Sequence, residues 1–171
     1  MAGVLQIHEM TGTNTGTDKT SGTVRFKAAD NVTVDSANRL QIGGATTYSY
    51  TKQLRAYASS APDTDFTNLE AYTDGGTFSN SVTCMYDVTW TNSVGSFTAN
   101  STNSIIGGAD LFTKTSGAKI DMNSWDLSWT SGEASVSSYY GSTLRLQLAV
   151  GSDATPGTLT AETLTFSYDE T

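Results

Sequence analysis

The sequence predicts an all-β protein, an antiparallel β-sandwich of jelly-roll-like type, and three observations carry that prediction. First, the chain holds 29 Thr and 21 Ser but only 15% charged residues, against roughly 25% in an ordinary soluble domain. The β-branched side chain of Thr favours strands, while Ser, Asn and Gly favour turns. Second, apolar and polar residues alternate with period two in several segments, most clearly over residues 143–150. Third, no stretch of about ten residues keeps apolar side chains at helical spacing without a Gly or a Ser/Thr cluster breaking it, so helix is confined to a turn or two.

Residues 4–9 read as a first strand. Residues 11–22 carry no apolar side chain and read as a loop or extended arm, without a core of their own to fold around. Short strands are expected at 23–28, 32–34 and 39–42, and a long one at 48–57. A turn at 59–63 then leads to a strand at 66–73, which ends before Asp74-Gly75-Gly76. Further strands are expected at 82–91, 95–98 and 119–129, with 92–108 a long structured loop around 95–98. In 143–150 the side chains of Leu144, Leu146, Leu148 and Val150 share one face. After the turn residues 151–157, the strand 163–168 turns Leu164, Phe166 and Tyr168 inward. No shift in composition divides the chain, so residues 1–171 form one domain. A faint internal echo links Leu54-Arg55 to Leu144-Arg145: each pair opens a strand, and an acid, Asp63 or Asp153, follows. Equivalent strand-turn-strand units in two sheets would produce it, and so would chance.

Nine Lys and Arg against seventeen Asp and Glu leave a net charge of −8 and a pI near 4.3. Such a surface repels phosphate, so no nucleic-acid partner is expected. No window approaches the roughly 18 apolar residues of a membrane span, and residues 1–5 lack the basic and apolar regions of a secretory signal. Cys84 is the only cysteine, flanked by strand-like residues, and reads as a buried apolar side chain. His8 is the only histidine and sits in the first strand, which argues against nucleophile–histidine catalysis.

Other constellations have ordinary readings. Asp63, Asp65, Glu70 and Asp74 cluster around one hairpin and could bind calcium, but turn chemistry accounts for them and no EF-hand spacing is present. Carboxylate pairs of glycosidase type are available among Glu9, Glu70, Glu133, Glu162 and Glu170, as in any acidic chain. The expectation is a protein without catalytic activity and without a required cofactor. Trp90, Trp125 and Trp129 could stack on sugar rings, although burial is the ordinary fate of such residues. Tyr139-Tyr140, beside Ser137, Ser138 and Gly141, is the better surface pair for a partner.

The chain resembles small virion structural proteins of tailed bacteriophages, in particular capsid decoration (cement) proteins built on β-sandwiches. The residues that carry the resemblance are Leu5-Gln6-Ile7-His8-Glu9, the Thr/Gly arm before Gly22-Thr23-Val24-Arg25-Phe26-Lys27, and Lys52-Gln53-Leu54-Arg55-Ala56-Tyr57 leading to residues 66–75. The ending 159–170 completes it. The resemblance implies a protein made in the host cytoplasm and placed on the outer capsid surface, where it bridges major capsid subunits and contacts copies of itself, a homotrimer being the expected number. Contact through the polar arm and the tyrosine pair singles out Thr13, Asn14, Thr15, Thr17, Lys19, Tyr139 and Tyr140. The alternatives are a carbohydrate-binding module and a head-fibre or tail accessory protein.

Overall fold

The computed structural model describes residues 3–11, 16–62, 65–78, 81–89, 108–123 and 138–171. Their strands are β1 (Val4–Met10), β2 (Gly16–Asp18), β3 (Thr47–Tyr48), β4 (Lys52–Ser60), β5 (Phe66–Thr73), β6 (Val82–Thr89), β7 (Ala109–Asp110), β8 (Ile120–Asp121), β9 (Ser138–Val150) and β10 (Leu164–Glu170). The only helical element among the described residues is a 3₁₀ turn, Leu111–Thr113, in which the Asp110 side chain caps the Phe112 amide.

The strands form two antiparallel sheets, one in the order β2-β1-β4-β9-β6-β7 with β3 also on β9, the other in the order β10-β5-β8. Period-two alternation decides which face each residue takes. Leu5 and Ile7 of β1, Leu54, Ala56 and Ala58 of β4, Cys84 of β6, and Tyr140, Leu144, Leu146 and Leu148 of β9 point from the larger sheet into the core. Phe66, Leu69, Ala71, Ile120 and Met122 meet them from the smaller sheet. The molecule is therefore an all-β sandwich, and each buried Leu contributes about 1.5–3 kcal/mol by leaving water.

Two irregularities shape the larger sheet. The expected strand 48–57 is split into β3 and β4, because Ser49 donates its amide to Leu148 O and its hydroxyl oxygen accepts from Leu148 N, both at 3.0 Å. A side chain here takes the place of a ladder bond. In β9 the register with β4 jumps from Leu54↔Leu144 to Ala56↔Tyr140, which leaves Gly141, Ser142 and Thr143 opposite Arg55 alone. Gly141 has φ +61°, a left-handed conformation that glycine adopts without a steric penalty. The Ser142 amide leaves the ladder and donates to Met122 O at 3.0 Å, tying the larger sheet to the chain after β8.

Several expected strands are corrected. Residues 23–28, 32–34 and 39–42 form bends and irregular chain. Buried Lys27 donates to Asn31 Oδ1 and Asp35 Oδ1 at 2.9 Å each, on either side of 32–34, so side-chain bonds hold this part of the segment where no ladder forms. Residues 95–98 lie outside the described residues, and the described part of 119–129 holds only the short β8. Tyr168 turns toward the core as expected, its ring edge-on to buried Phe66 at 5.4 Å, but remains 37% exposed, and the β10 register shifts beside it, between Ser167 and Asp169. The echo does not reflect equivalent units in two sheets: Leu54 and Leu144 are direct partners on adjacent strands of one sheet.

Candidate functional site

The outward face of the larger sheet carries an aromatic and cationic cluster arranged in cross-strand rows. Pairing places Gln6, Tyr57 and Tyr139 in one row of β1, β4 and β9, and Asp18, His8 and Arg55 in the next row of β2, β1 and β4. The third row runs Gly16, Met10, Gln53, Arg145 and Asp87, and ends in an Arg145–Asp87 ion pair. Residues directly opposite on neighbouring strands share a face and touch.

His8 is the hub. Its ring stacks on Tyr57, with centroids 4.3 Å apart and planes 19° from parallel, and meets the Tyr139 ring edge-on at 5.6 Å. Nε2 lies 3.2 Å from Gln6 Oε1 and Nδ1 lies 3.2 Å from the Tyr139 hydroxyl. An amide oxygen only accepts, so this arrangement assigns the proton to Nε2 and lets Nδ1 accept from Tyr139. Burial holds the His8 pKa below its ordinary 6.5, and Asp18 offsets part of that effect. Burial, helped by Tyr57, raises the Tyr139 pKa, and Arg55 opposes the rise.

Gly16 closes the cluster from β2. A β-carbon at that position would overlap the Tyr139 hydroxyl and stand 2.6 Å from His8 Nδ1, so the hydrogen bond between the two rings needs glycine there.

Arg55 has its Cζ 5.5 Å from the Tyr139 ring centroid and is 5% exposed. Its Nε is buried with no hydrogen-bond partner. No carboxylate among the described residues forms an ion pair with it, and burial lowers its pKa. A buried cation without a counter-charge costs several kcal/mol, so this position is a place for an anionic group.

The expected contact residues fare differently. Thr13, Asn14 and Thr15 lie outside the described residues. The rest of the arm is corrected: Gly16–Asp18 is an edge strand on β1, and Thr17 pairs with Glu9. Lys19 donates its amide to Ile7 O at 2.7 Å and its Nζ to Val32 O at 3.1 Å. A chain without apolar side chains can still gain ladder bonds and a cation's hydrogen bond. Tyr140 is also corrected from surface to core, where it packs edge-on against Phe66; Tyr139, one residue earlier, faces outward into the cluster. Neither His8 nor Arg55 stands out as a binding residue in the sequence. The signal available is that β4 interleaves Gln53, Arg55 and Tyr57 between core residues.

Groups weighed for other chemistry have separate local roles. Glu70 pairs with Lys119 at 2.6 Å, Asp74 accepts from Gly76 N at 3.1 Å, and Asp65 exchanges main-chain bonds with Thr171 at 3.0 Å. Asp63 and Glu133 lie outside the described residues. Among the described residues no three His, Cys, Asp or Glu side chains group as a metal site. Glu9 is in the interior against Lys52 at 2.6 Å, and Glu170 accepts from Gly3 N. Burial pushes the Cys84 thiol up to about 12, so it stays protonated at neutral pH. Trp90, Trp125 and Trp129 lie outside the described residues. Comparison with protein-family models, with curated proteins and with solved structures gives no match.

Proposed function

We propose that this chain is a non-catalytic structural protein of a tailed bacteriophage virion, a capsid decoration protein that binds major capsid subunits through the outward face of its larger sheet. The supporting observation is the Tyr57, Tyr139, His8 and Arg55 cluster on that face. Tyr and Arg are the residues in which the binding energy of protein interfaces concentrates, and the cross-strand rows bring them together on one face. The reading places the protein on the outer capsid surface after synthesis in the host cytoplasm, with self-contact as a homotrimer. Its net charge of −8 suits a position away from packaged DNA. Decoration needs no turnover, because weak contacts repeated over a lattice add up to a large stabilisation.

The sugar-binding alternative gains no support from this cluster, since one face of Tyr57 is taken by His8 and Tyr139 is engaged by both His8 and Arg55. The test is sedimentation with undecorated capsids, alongside mass spectrometry of purified virions. Stoichiometric presence in virions and capsid binding that weakens in Tyr57→Ala and Tyr139→Ala are expected. Absence from virions overturns the reading.

A further inference from the structure

Arg55 lies opposite the β9 bulge, and several of the larger sheet's unsatisfied polar atoms, though not Glu9 Oε2 on the core side, lie on the same outward face. Arg55 Nε, Thr143 Oγ1 and Thr89 Oγ1 are all buried without hydrogen-bond partners, and Thr89 and Thr143 are register partners. Buried polar groups in folded proteins are almost always paired, so several orphans on one face mark a place where a missing partner belongs. The acid nearest in the register row, Asp18, stands two strands from Arg55, about 10 Å at ordinary strand spacing, and is occupied by Thr20 at 2.8 and 2.6 Å.

We propose that the Arg55 guanidinium binds the carboxylate of an Asp or Glu side chain presented by a partner protein, with Tyr57 and Tyr139 flanking the contact and the Thr143 hydroxyl, on the adjacent strand, as a further donor. The partner's being a protein rests on the function proposed above. The planar N–H fork of arginine matches a carboxylate bidentately, and a threonine hydroxyl can donate to a remaining lone pair. The charge of the whole chain sharpens the choice. A molecule of net −8 repels a run of acids, whereas a single carboxylate brought within the Debye length of about 8–10 Å gains the local cation. The partner therefore offers an isolated acid, not an acidic tract.

The test uses the full chain and a glutamate blocked at both main-chain ends as the probe, read by the ¹H–¹⁵N resonance of Arg55 Nε–H. A saturable shift at Arg55 is expected, absent at Arg39 and Arg145. Affinity should drop about tenfold in Arg55→Lys, whose ammonium lacks the fork, and binding should vanish in Arg55→Met. No saturable shift in the unmodified protein, an equal shift at all three arginines, or unchanged binding in Arg55→Met overturns the proposal, and the first two need no variant to fold. Glucuronate binding about tenfold more tightly than the blocked glutamate overturns the protein source in favour of an acidic sugar. Capsid binding that survives Arg55→Met overturns the site while sparing the decoration reading; probe binding by a protein that ignores capsids does the reverse.

Discussion

The Glu9 carboxylate meets the Lys52 ammonium at 2.6 Å on the core side of the larger sheet, with the two side chains 1% and 2% exposed. Glu9 continues the inward series of Leu5 and Ile7, so a charge occupies a position that the pattern reserves for an apolar side chain. Lys52 also donates to Asn31 O at 2.7 Å, and Lys19 Nζ stands 4.0 Å from Glu9 Oε2. The pair thus holds Lys19 and Asn31, at the start of the irregular segment, against the larger sheet.

Breaking that pair on one side strands a buried charge. Lys52→Met is expected to lose about 3–5 kcal/mol of stability in urea unfolding. The double variant Glu9→Leu/Lys52→Met should lose less than the single one, because neither charge is left alone. Equal losses would show that the ion pair is incidental.

Histidine 8 makes stability depend on pH in a defined window. Its folded pKa lies below the ordinary 6.5, so the unfolded chain binds the proton more readily and stability falls as pH drops through 6.5 toward the folded value. The slope cannot exceed about 1.4 kcal/mol per pH unit for one proton. His8→Gln should flatten denaturation midpoints in that window. The window is separate from the losses due to Asp18 and Asp35, whose lowered pKa values act only below about 3.8. An unchanged slope in His8→Gln would remove His8 as the cause.

Gly16→Ala tests the packing of the cluster. The added methyl collides with Tyr139 and His8, and a loss of about 1–3 kcal/mol is expected from such overpacking, together with altered near-ultraviolet circular dichroism from the displaced tyrosines. Gly117→Ala is the control, since nothing stands within 4 Å of its β-carbon position. Similar behaviour of the two variants would contradict the steric account.

Cys84 should be inert in the folded protein. It is 1% exposed with its pKa pushed up to about 12, so a thiol reagent at pH 8 is expected to label it only at the rate of unfolding. Full labelling within the mixing time would place the thiol at the surface.

The fold class was legible because period-two alternation is a local signal: Leu144, Leu146, Leu148 and Val150 fall inward as their spacing requires. What the pattern does not encode is which strands become neighbours. Arg55 reads as an outward residue of β4, yet its isolation from the carboxylates of the described residues depends on β2, β1 and β9 arriving beside it. Gly16 carries no apolar signal at all, and its importance lies in the space it leaves. Segment 23–42 misled for the converse reason: its β-branched residues have strand propensity, but Lys27 recruits the chain through side-chain bonds.

The position of β4 between β1 and β9 has a consequence during synthesis. Its first neighbour precedes it in the chain, but its second begins 78 residues after Ser60, at Ser138. At roughly 5–20 residues per second on the ribosome, one edge of β4 waits about 4–16 s for its mate. Over that interval Lys52, Gln53 and Arg55 interrupt what would otherwise be an adhesive hydrophobic strand, and charged residues on an open edge discourage pairing with another nascent copy. The guanidinium and ammonium that end up buried in the finished sandwich thus guard the strand while it is incomplete.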